Sequence, residues 1–203
     1  MSKKITILGA GESGLGAALL GKERGYDVFL SDRNKLNAES TAFMETHSIN
    51  YEEGGHSFDQ ILAASLIVKS PGIPDTAPII VAAHEKNIPV ISEIEFAYQH
   101  MDPKAKLVAI TGTNGKTTTT MLTYHLLKEA GLNVAMGGNV GVSFAKLVAE
   151  GGYDYYVVEV SSFQLDGIDT FKPDVAVLLN ITPDHLDRYE NDMQQYISSK
   201  FRI

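Results

Sequence analysis

The sequence contains no cysteine, and this absence removes two kinds of chemistry. Without thiols, the chain can form neither a disulfide framework nor a thiolate metal site. A cysteine-free composition suits a reducing compartment, so the sequence favours a cytoplasmic protein.

Positive charge and long apolar runs are also scarce. The chain has 17 Lys and Arg residues against 25 Asp and Glu residues, and the basic residues form no cluster. Such a surface repels nucleic-acid phosphates and anionic lipids, so we expect no nucleic-acid partner. The first apolar run, residues 5–8, is too short for a signal-peptide core or a membrane span, so we expect no membrane partner.

The chain does contain a regular alternation of apolar runs of strand length with segments of helical period. This rhythm predicts βαβ units and parallel sheets. A polar stretch with a proline and no periodicity interrupts it. We therefore predict a first domain at residues 1–99, a linker at residues 100–106 and a second domain at residues 107–203. The pattern stops inside a helix predicted to start near Asp192.

A glycine-rich turn follows the apolar strand at residues 107–110 and reads TGTNGKTT at residues 111–118. Backbone N–H groups of such a turn converge on phosphate oxygens, in front of the positive end of the next helix. Lys116 would reach the outer phosphates, and the Thr117 hydroxyl would bind Mg²⁺. The first glycine of the general spacing would fall at Ile110, so this is a shorter variant. A plain turn with a surface lysine is the alternative.

A second glycine turn, GAGESG at residues 9–14, follows the first strand, opens a helix and precedes Asp32. The pattern predicts a pyrophosphate at the helix N-terminus and a carboxylate near a ribose or base. It does not distinguish NAD from a UDP-sugar, and the glycines could serve helix–strand packing alone. Gly72 lies in a further turn predicted at the same sheet edge. The predicted fold is α/β, with a Rossmann-like N-terminal domain followed by a P-loop-type parallel domain.

Three polar residues of the second half are candidates for a site. Glu159 ends an apolar strand, where a charge needs a partner: either Mg²⁺ shared with Thr117, or a salt bridge. His185 lies on a loop predicted at the same edge, although lone histidines are usually structural or solvated. Asn139 lies in a glycine turn that could contact a substrate or simply be flexible.

Four motifs in one order carry a resemblance: TGTNGKTT at 111–118, GNVG at 138–141, EVSSFQL at 159–165 and LNITPDHLDRY at 179–189. Together they resemble the Mur ligase family of peptidoglycan precursor synthesis. EVSSFQL, DHLDRY and the opening GAGESG are most similar to members that add D-glutamate to UDP-N-acetylmuramoyl-L-alanine. The resemblance implies that ATP phosphorylates the substrate carboxylate and that the amine of D-glutamate then attacks the acyl phosphate.

The resemblance also implies roles for individual residues. The implied ATP-binding residues are Gly112, Thr113, Asn114, Gly115, Lys116, Thr117 and Thr118. The implied catalytic residues are Lys116, His185 and Lys200. The implied Mg²⁺ ligands are Thr117, Glu159, His185 and Lys200, the last as a carbamate. The implied substrate-binding residues are Glu12, Ser13, Asp32, Arg33, Gly72, Asn139 and Ser161.

Family members carry the rest of the ATP domain and a third domain that helps to build the amino-acid site. We therefore expect a truncated chain without ligase activity, from a protein that is a monomer at full length. Two alternatives remain: an NAD-dependent oxidoreductase, based on residues 9–14 and Asp32, and a non-catalytic nucleotide-binding module.

Overall fold

The computed structural model describes residues 3–203, which form two sheets whose paired strands all run parallel. The first sheet has the order β3-β2-β1-β4-β5 and the second the order β7-β8-β6-β9. The strands are β1 (Lys4–Leu8), β2 (Asp27–Asp32), β3 (Asn50–Glu53), β4 (Leu66–Lys69), β5 (Val90–Ser92), β6 (Lys106–Thr111), β7 (Val134–Gly138), β8 (Tyr155–Glu159) and β9 (Val175–Leu178). These sheets confirm the predicted α/β fold class.

Nine α-helices and a short 3₁₀ helix, Leu186–Tyr189, connect the strands described. The helices are α1 (Glu12–Glu23), α2 (Ala38–Thr46), α3 (Phe58–Ile61), α4 (Pro78–Glu85), α5 (Glu93–His100), α6 (Lys116–Glu129), α7 (Phe144–Glu150), α8 (Ser162–Asp166) and α9 (Met193–Lys200). No helix in residues 3–203 is long and apolar enough to cross a membrane.

Helices cover the central strands, which explains their continuous apolar sequences. In β1, four of the five residues are buried, and β8 has the same pattern. The edge strands differ: β3 is the polar sequence NYEE, and Val175 at the start of β9 is 50% exposed. A search for apolar runs in the sequence therefore finds strands that helices cover, but it overlooks a polar edge strand such as β3.

Several predicted boundaries differ from the structure by a few residues. The sequence pattern predicts a helix from Leu15 to Arg24, but α1 begins at Glu12, because the end of the glycine turn already has helical conformation. The pattern also predicts a helix from Val142 to Glu150, but α7 begins at Phe144, since Ser143 caps it with a side-chain hydrogen bond. The connection between α5 and β6 comprises only residues 101–105, as His100 belongs to the helix and Lys106 to the strand.

The two sheets share one apolar core, which the sequence pattern did not predict. A single cluster of buried residues includes Leu20 and Ile94 from the first half and Phe144 and Tyr156 from the second. Helices α1 and α5 of the first half pack against α7 of the second, and we call this contact the joint between the two halves. The two halves therefore hold their strand ends in a fixed relation, with the glycine turns after β1 and β6 each at the carboxyl end of a parallel strand.

Candidate functional site

The turn after β6 has the geometry of a phosphate-binding loop. Gly115 precedes α6 with a φ of 85°, a left-handed conformation that glycine adopts without strain. No side chain caps α6, so the first-turn N–H groups remain available to an anion. The Lys116 Nζ donates to the Thr113 carbonyl at 2.8 Å, which folds the lysine back over the loop.

The other loop residues are held by the segment after β9. Thr113 Oγ1 donates to the Thr182 carbonyl at 3.1 Å, and the Asn114 N–H donates to the Asn180 side chain at 2.9 Å. The Asn180 amide in turn donates to the Asn114 carbonyl at 3.0 Å. These bonds order the loop before any ligand is present, which lowers the entropic cost of binding.

Glu159 lies at the centre of the second-domain cluster and is only 2% exposed. It pairs in register with Ile110 of β6, the strand before the phosphate-binding loop, and with Gly138 of β7, the strand before the glycine turn that contains Asn139. Thr117 Oγ1 donates to one carboxylate oxygen at 2.6 Å, and Asn139 Nδ2 donates to the other at 2.8 Å. The structure thus places Glu159 beside Thr117, the pair that the sequence had proposed together, and adds Asn139, which the sequence had proposed separately.

The donor set around Glu159 fits a hard divalent cation. A carboxylate and a hydroxyl are the oxygen ligands that Mg²⁺ prefers, with phosphate oxygens completing the shell. Glu159 forms no ion pair with any residue of the described chain, so its buried charge lacks a compensating cation. Residues 3–203 contain no group of three or more His, Asp or Glu residues close enough to hold a metal alone.

Lys200 lies beneath the same loop. Its Nζ donates to the Gly112 carbonyl at 2.9 Å, and the residue is 2% exposed. Burial, assisted by the nearby positive charge of Lys116, lowers the pKa of Lys200 to about 8. An uncharged amine is therefore accessible near neutral pH at this position.

His185 and Ser161 occupy different environments from the cluster. His185 has a left-handed backbone with a φ of 51° and a side chain that is 59% exposed, and its ring packs edge-on against Phe163. Ser161 forms a capping box with Gln164 at the start of α8. The S-x-x-Q pattern was visible in EVSSFQL, and it gives this serine a structural role that sequence reasoning missed.

The first-domain turn borders a cavity of about 690 Å³. A Cβ atom on Gly14 would lie 1.8 Å from the Gly9 carbonyl oxygen, so this close approach requires glycine. The predicted residues Asp32, Arg33 and Gly72 line the cavity, together with Gly9. Helix α1 is not capped by a side chain, which leaves its first N–H groups available, as in α6.

Asp32 already supports the cavity wall through two hydrogen bonds. Its carboxylate accepts from the Ala10 N–H and the Asn34 N–H, both at 2.7 Å. Glu12 and Ser13 lie at the start of α1 and do not line the cavity. Glu12 instead accepts from the Ser143 N–H at 3.4 Å across the joint. His56 and Phe58 line the cavity although no motif pointed to them.

Two parallel sheets, each with a glycine turn that leads into an uncapped helix, define an α/β protein of the nucleotide-binding class with a P-loop-type turn. Two family models match the chain: the Mur ligase middle domain at residues 110–203 and the MurD N-terminal domain at residues 4–78. The chain belongs to the Mur ligase family, whose members depend on ATP.

Known relatives agree with this assignment. The chain is 58% identical over its whole length to a UDP-N-acetylmuramoylalanine–D-glutamate ligase of Cytophaga hutchinsonii, and covers 45% of that protein. It is 56% identical over 99% of its length to the ligase of that name from Bacteroides fragilis, again covering 45% of the relative. The chain therefore spans somewhat less than half the length of these relatives.

Solved structures show a similar fold. A UDP-N-acetylmuramate:L-alanyl-γ-D-glutamyl-meso-diaminopimelate ligase from Neisseria meningitides has a TM-score of 0.66 at 24% identity, with all of this chain and 68% of that chain covered. The UDP-N-acetylmuramate–alanine ligase of Thermotoga maritima has a TM-score of 0.58 at 26% identity, with 97% of this chain and 45% of that chain covered.

Proposed function

We propose that this chain supplies the substrate-binding and ATP-binding parts of a ligase that joins D-glutamate to UDP-N-acetylmuramoyl-L-alanine. The observation that carries the proposal is the position of Glu159 between Thr117 and Asn139. This arrangement links the phosphate loop to the glycine turn proposed for the substrate. The names of the relatives at 56–58% identity support the choice of substrates.

The proposed reaction has two steps. A carboxylate oxygen of the alanyl group attacks the γ-phosphorus of ATP, and ADP leaves with the electron pair of the broken P–O bond. The amine of D-glutamate then attacks the carbonyl carbon of the acyl phosphate, loses a proton and expels phosphate. Both steps depend mainly on alignment of the reactants and on stabilisation of phosphoryl charge.

Lys116 and Thr117 have the central roles at the nucleotide. The Lys116 ammonium, now bonded to the Thr113 carbonyl, would turn to the transferred phosphoryl group. Thr117 and Glu159 would hold Mg²⁺, which would neutralise phosphate charge when bound. The remaining residues of the loop, Gly112 to Thr118, would surround the phosphates with N–H groups.

Four more residues would act at the substrate. The Asn139 amide is oriented by Glu159, and its oxygen remains free to accept a hydrogen bond from the substrate. We propose His185 and carbamylated Lys200 as ligands of a second Mg²⁺ beside the reacting group. Ser161 is already hydrogen-bonded in the capping box of α8, so any contact with the substrate would be secondary to this structural role.

The first-domain cavity would hold the uridine diphosphate end of the substrate. The uncapped N-terminus of α1 would face the pyrophosphate, and Arg33 would add a positive charge at the cavity wall. Asp32 has lone pairs left for a ribose or base, and Gly72 contributes a wall without a side chain. Glu12 and Ser13 lie at the start of α1, where the pyrophosphate would pass.

We further propose that the full-length protein is a monomer. We also propose that it lies in the cytoplasm, because the cysteine-free composition suits a reducing compartment. Calorimetric titration tests the function directly. We expect ATP–Mg²⁺ and UDP-N-acetylmuramoyl-L-alanine each to bind the chain, whereas NADH does not. Binding of NADH as tight as that of the UDP-sugar would instead support the oxidoreductase.

A further inference from the structure

His56 lies on the wall of the first-domain cavity, in the loop after β3, and belongs to no recognisable motif. Phe58, two residues later, also lines the cavity and is 41% exposed. An exposed aromatic ring beside a fixed polar group is the arrangement that a stacked base requires. The orientation of His56 therefore determines what this wall can recognise.

A chain of hydrogen bonds fixes the proton positions around His56. Ser31 Oγ lies 2.7 Å from a Glu52 carboxylate oxygen and 2.7 Å from His56 Nδ1. Burial would raise the pKa of Glu52, but hydrogen bonds from Ser31 and Ser57 outweigh it and the pKa is lowered. Glu52 is therefore an ionised carboxylate near neutral pH and can only accept.

The tautomer of His56 follows from this accounting. Ser31 has one hydroxyl hydrogen, which it donates to Glu52, so its oxygen can only accept from the His56 Nδ1–H. A neutral imidazole has a single N–H group. Nε2 of neutral His56 is consequently a hydrogen-bond acceptor, and no residue of the described chain donates to it.

We propose that His56 determines the nucleotide specificity of the cavity by accepting a hydrogen bond from a uridine nucleotide, with Phe58 as the stacking surface. The inference rests on the proposed function, because it concerns the cavity assigned to the UDP end of the substrate. Two donors of uridine have the required chemistry: the N3–H of the base and the ribose hydroxyls. Cytosine has no hydrogen on N3, so it would place an acceptor against an acceptor.

The test compares how a set of nucleotides binds to a set of variants, measured by calorimetry. The nucleotides are UDP, N3-methyl-UDP, 2′-deoxy-UDP, 3′-deoxy-UDP and CDP. We expect the chain to bind UDP about tenfold more tightly than the analogue that lacks the recognised donor, as the loss of one hydrogen bond predicts. The analogue that loses affinity identifies the base or the ribose as the source of the donor.

The variants assign this preference to His56. In His56→Leu, we expect the preference for UDP over the sensitive analogue to fall to about twofold or less. His56→Gln retains an acceptor and should recover part of the preference. His84→Leu removes an exposed histidine of the same domain and should behave like the parent chain. Thermal melting of each variant establishes that it is folded.

Two different failures can be told apart. If UDP binds and His56→Leu discriminates among the nucleotides as the parent chain does, the role of His56 is refuted and the uridine site remains. If the parent chain binds none of the uridine nucleotides, both the uridine site and the role of His56 are refuted.

Discussion

The two glycine turns of this protein have the same position in their sheets, at the carboxyl end of a parallel strand, but different side chains around them. Each turn connects a buried parallel strand to a helix without a side-chain cap. Around the first turn, the cavity wall is mainly apolar or neutral, with Asp32 already engaged by two backbone N–H groups. Around the second, Lys116, Glu159 and Lys200 place three ionisable groups within one loop region.

This difference indicates that one order of elements, a strand followed by a glycine turn and an uncapped helix, can serve two kinds of recognition. An uncapped helix N-terminus attracts any anion, and so it cannot by itself select a ligand. Selection comes from the strand ends: shape and oriented hydrogen bonds in the first site, and charge with a metal in the second. Changes at one site should therefore leave binding at the other unaltered.

The largest expected effect follows removal of the Lys116 ammonium. We expect Lys116→Ala to weaken ATP–Mg²⁺ binding by about 100-fold or more, because a preorganised donor to a phosphoryl group contributes several kcal/mol. Binding of the UDP-sugar should remain within about twofold. The measurement is calorimetry with both ligands on one preparation.

Lys128→Ala is the matched control, because it removes an exposed lysine from the last turn of the same helix. It should leave both affinities unchanged. If Lys116→Ala weakened the binding of the UDP-sugar and of ATP equally, the two sites would not be independent and the comparison would fail.

The second prediction concerns Glu93, at the joint between the two halves. Glu93 is 1% exposed; one of its oxygens accepts from the Ala145 N–H at 2.6 Å, and the other has no partner within the described chain. Burial raises the pKa of Glu93 to about 7, and the nearby charge of Glu12 adds to the rise. The folded state therefore holds this proton more tightly than the unfolded state does.

A raised pKa in the folded state means that stability is fully present below about pH 4.5 and is lost as the pH rises through about 7. This group alone should cost about 3 kcal/mol of unfolding free energy between those limits. Glu93→Gln should remove that loss, and urea denaturation at pH 5 and pH 8 measures it. Both ligand affinities should stay the same, because Glu93 itself lines neither of the two sites.

Glu95, two residues along α5, provides the opposite control. Burial alone would raise the pKa of Glu95, but hydrogen bonds from Thr170, Asp169 and Gln99 outweigh it and lower the pKa. Its contribution is present above the unfolded pKa and is lost as the pH falls. Glu95→Gln should therefore destabilise the protein at pH 8, where Glu93→Gln stabilises it. Equal pH slopes in the two variants and the parent chain would contradict this account.

The contrast between Glu93 and Glu95 also shows what the sequence could not reveal. Phosphate-loop residues follow a local pattern, so Lys116, Thr117 and the glycines could be named before the fold was known. Glu93 and Glu95 look like ordinary first-turn helix carboxylates, and only the packing of α5 against the second half buries them. His56 was missed for a similar reason, since its role depends on Ser31 in a neighbouring strand.

The strands also divide into those that a sequence pattern reveals and those that it does not. Covered strands such as β1 and β8 were predicted because burial on both faces demands apolar residues throughout. Strand β3 was missed because it is a polar edge, and helix α8 because five residues show no helical period. Even there, the capping pattern of Ser161 and Gln164 was a usable signal.

The third prediction returns to the first site. Asp32→Asn replaces a carboxylate that accepts from two N–H groups by an amide with a single acceptor, so one of those N–H groups would face a donor. We expect UDP-sugar binding to weaken about tenfold while ATP–Mg²⁺ binding is unchanged. Asp27→Asn, at the exposed opposite end of the same strand, is the control. Unchanged UDP-sugar affinity in Asp32→Asn would remove Asp32 from the proposed recognition.

The smallest expected effect would sharpen the comparison most, because it concerns a group whose charge can change sign. With its pKa lowered to about 8, the Lys200 amine is partly uncharged near neutral pH and can add carbon dioxide, forming an N–C bond and releasing a proton. The resulting carbamate keeps one N–H for the Gly112 carbonyl and presents two oxygens to a hard cation.

The measurement is the ¹³C signal of the Lys200 carbamate, assigned by difference, at constant dissolved carbon dioxide. We expect this signal to rise several-fold between pH 7 and pH 9, since deprotonation of the amine spans that window. The difference is taken against Lys200→Ala, and Lys128→Ala should retain the full signal. A signal that persists undiminished in Lys200→Ala would exclude the carbamate and leave Lys200 as a cation beneath the phosphate loop.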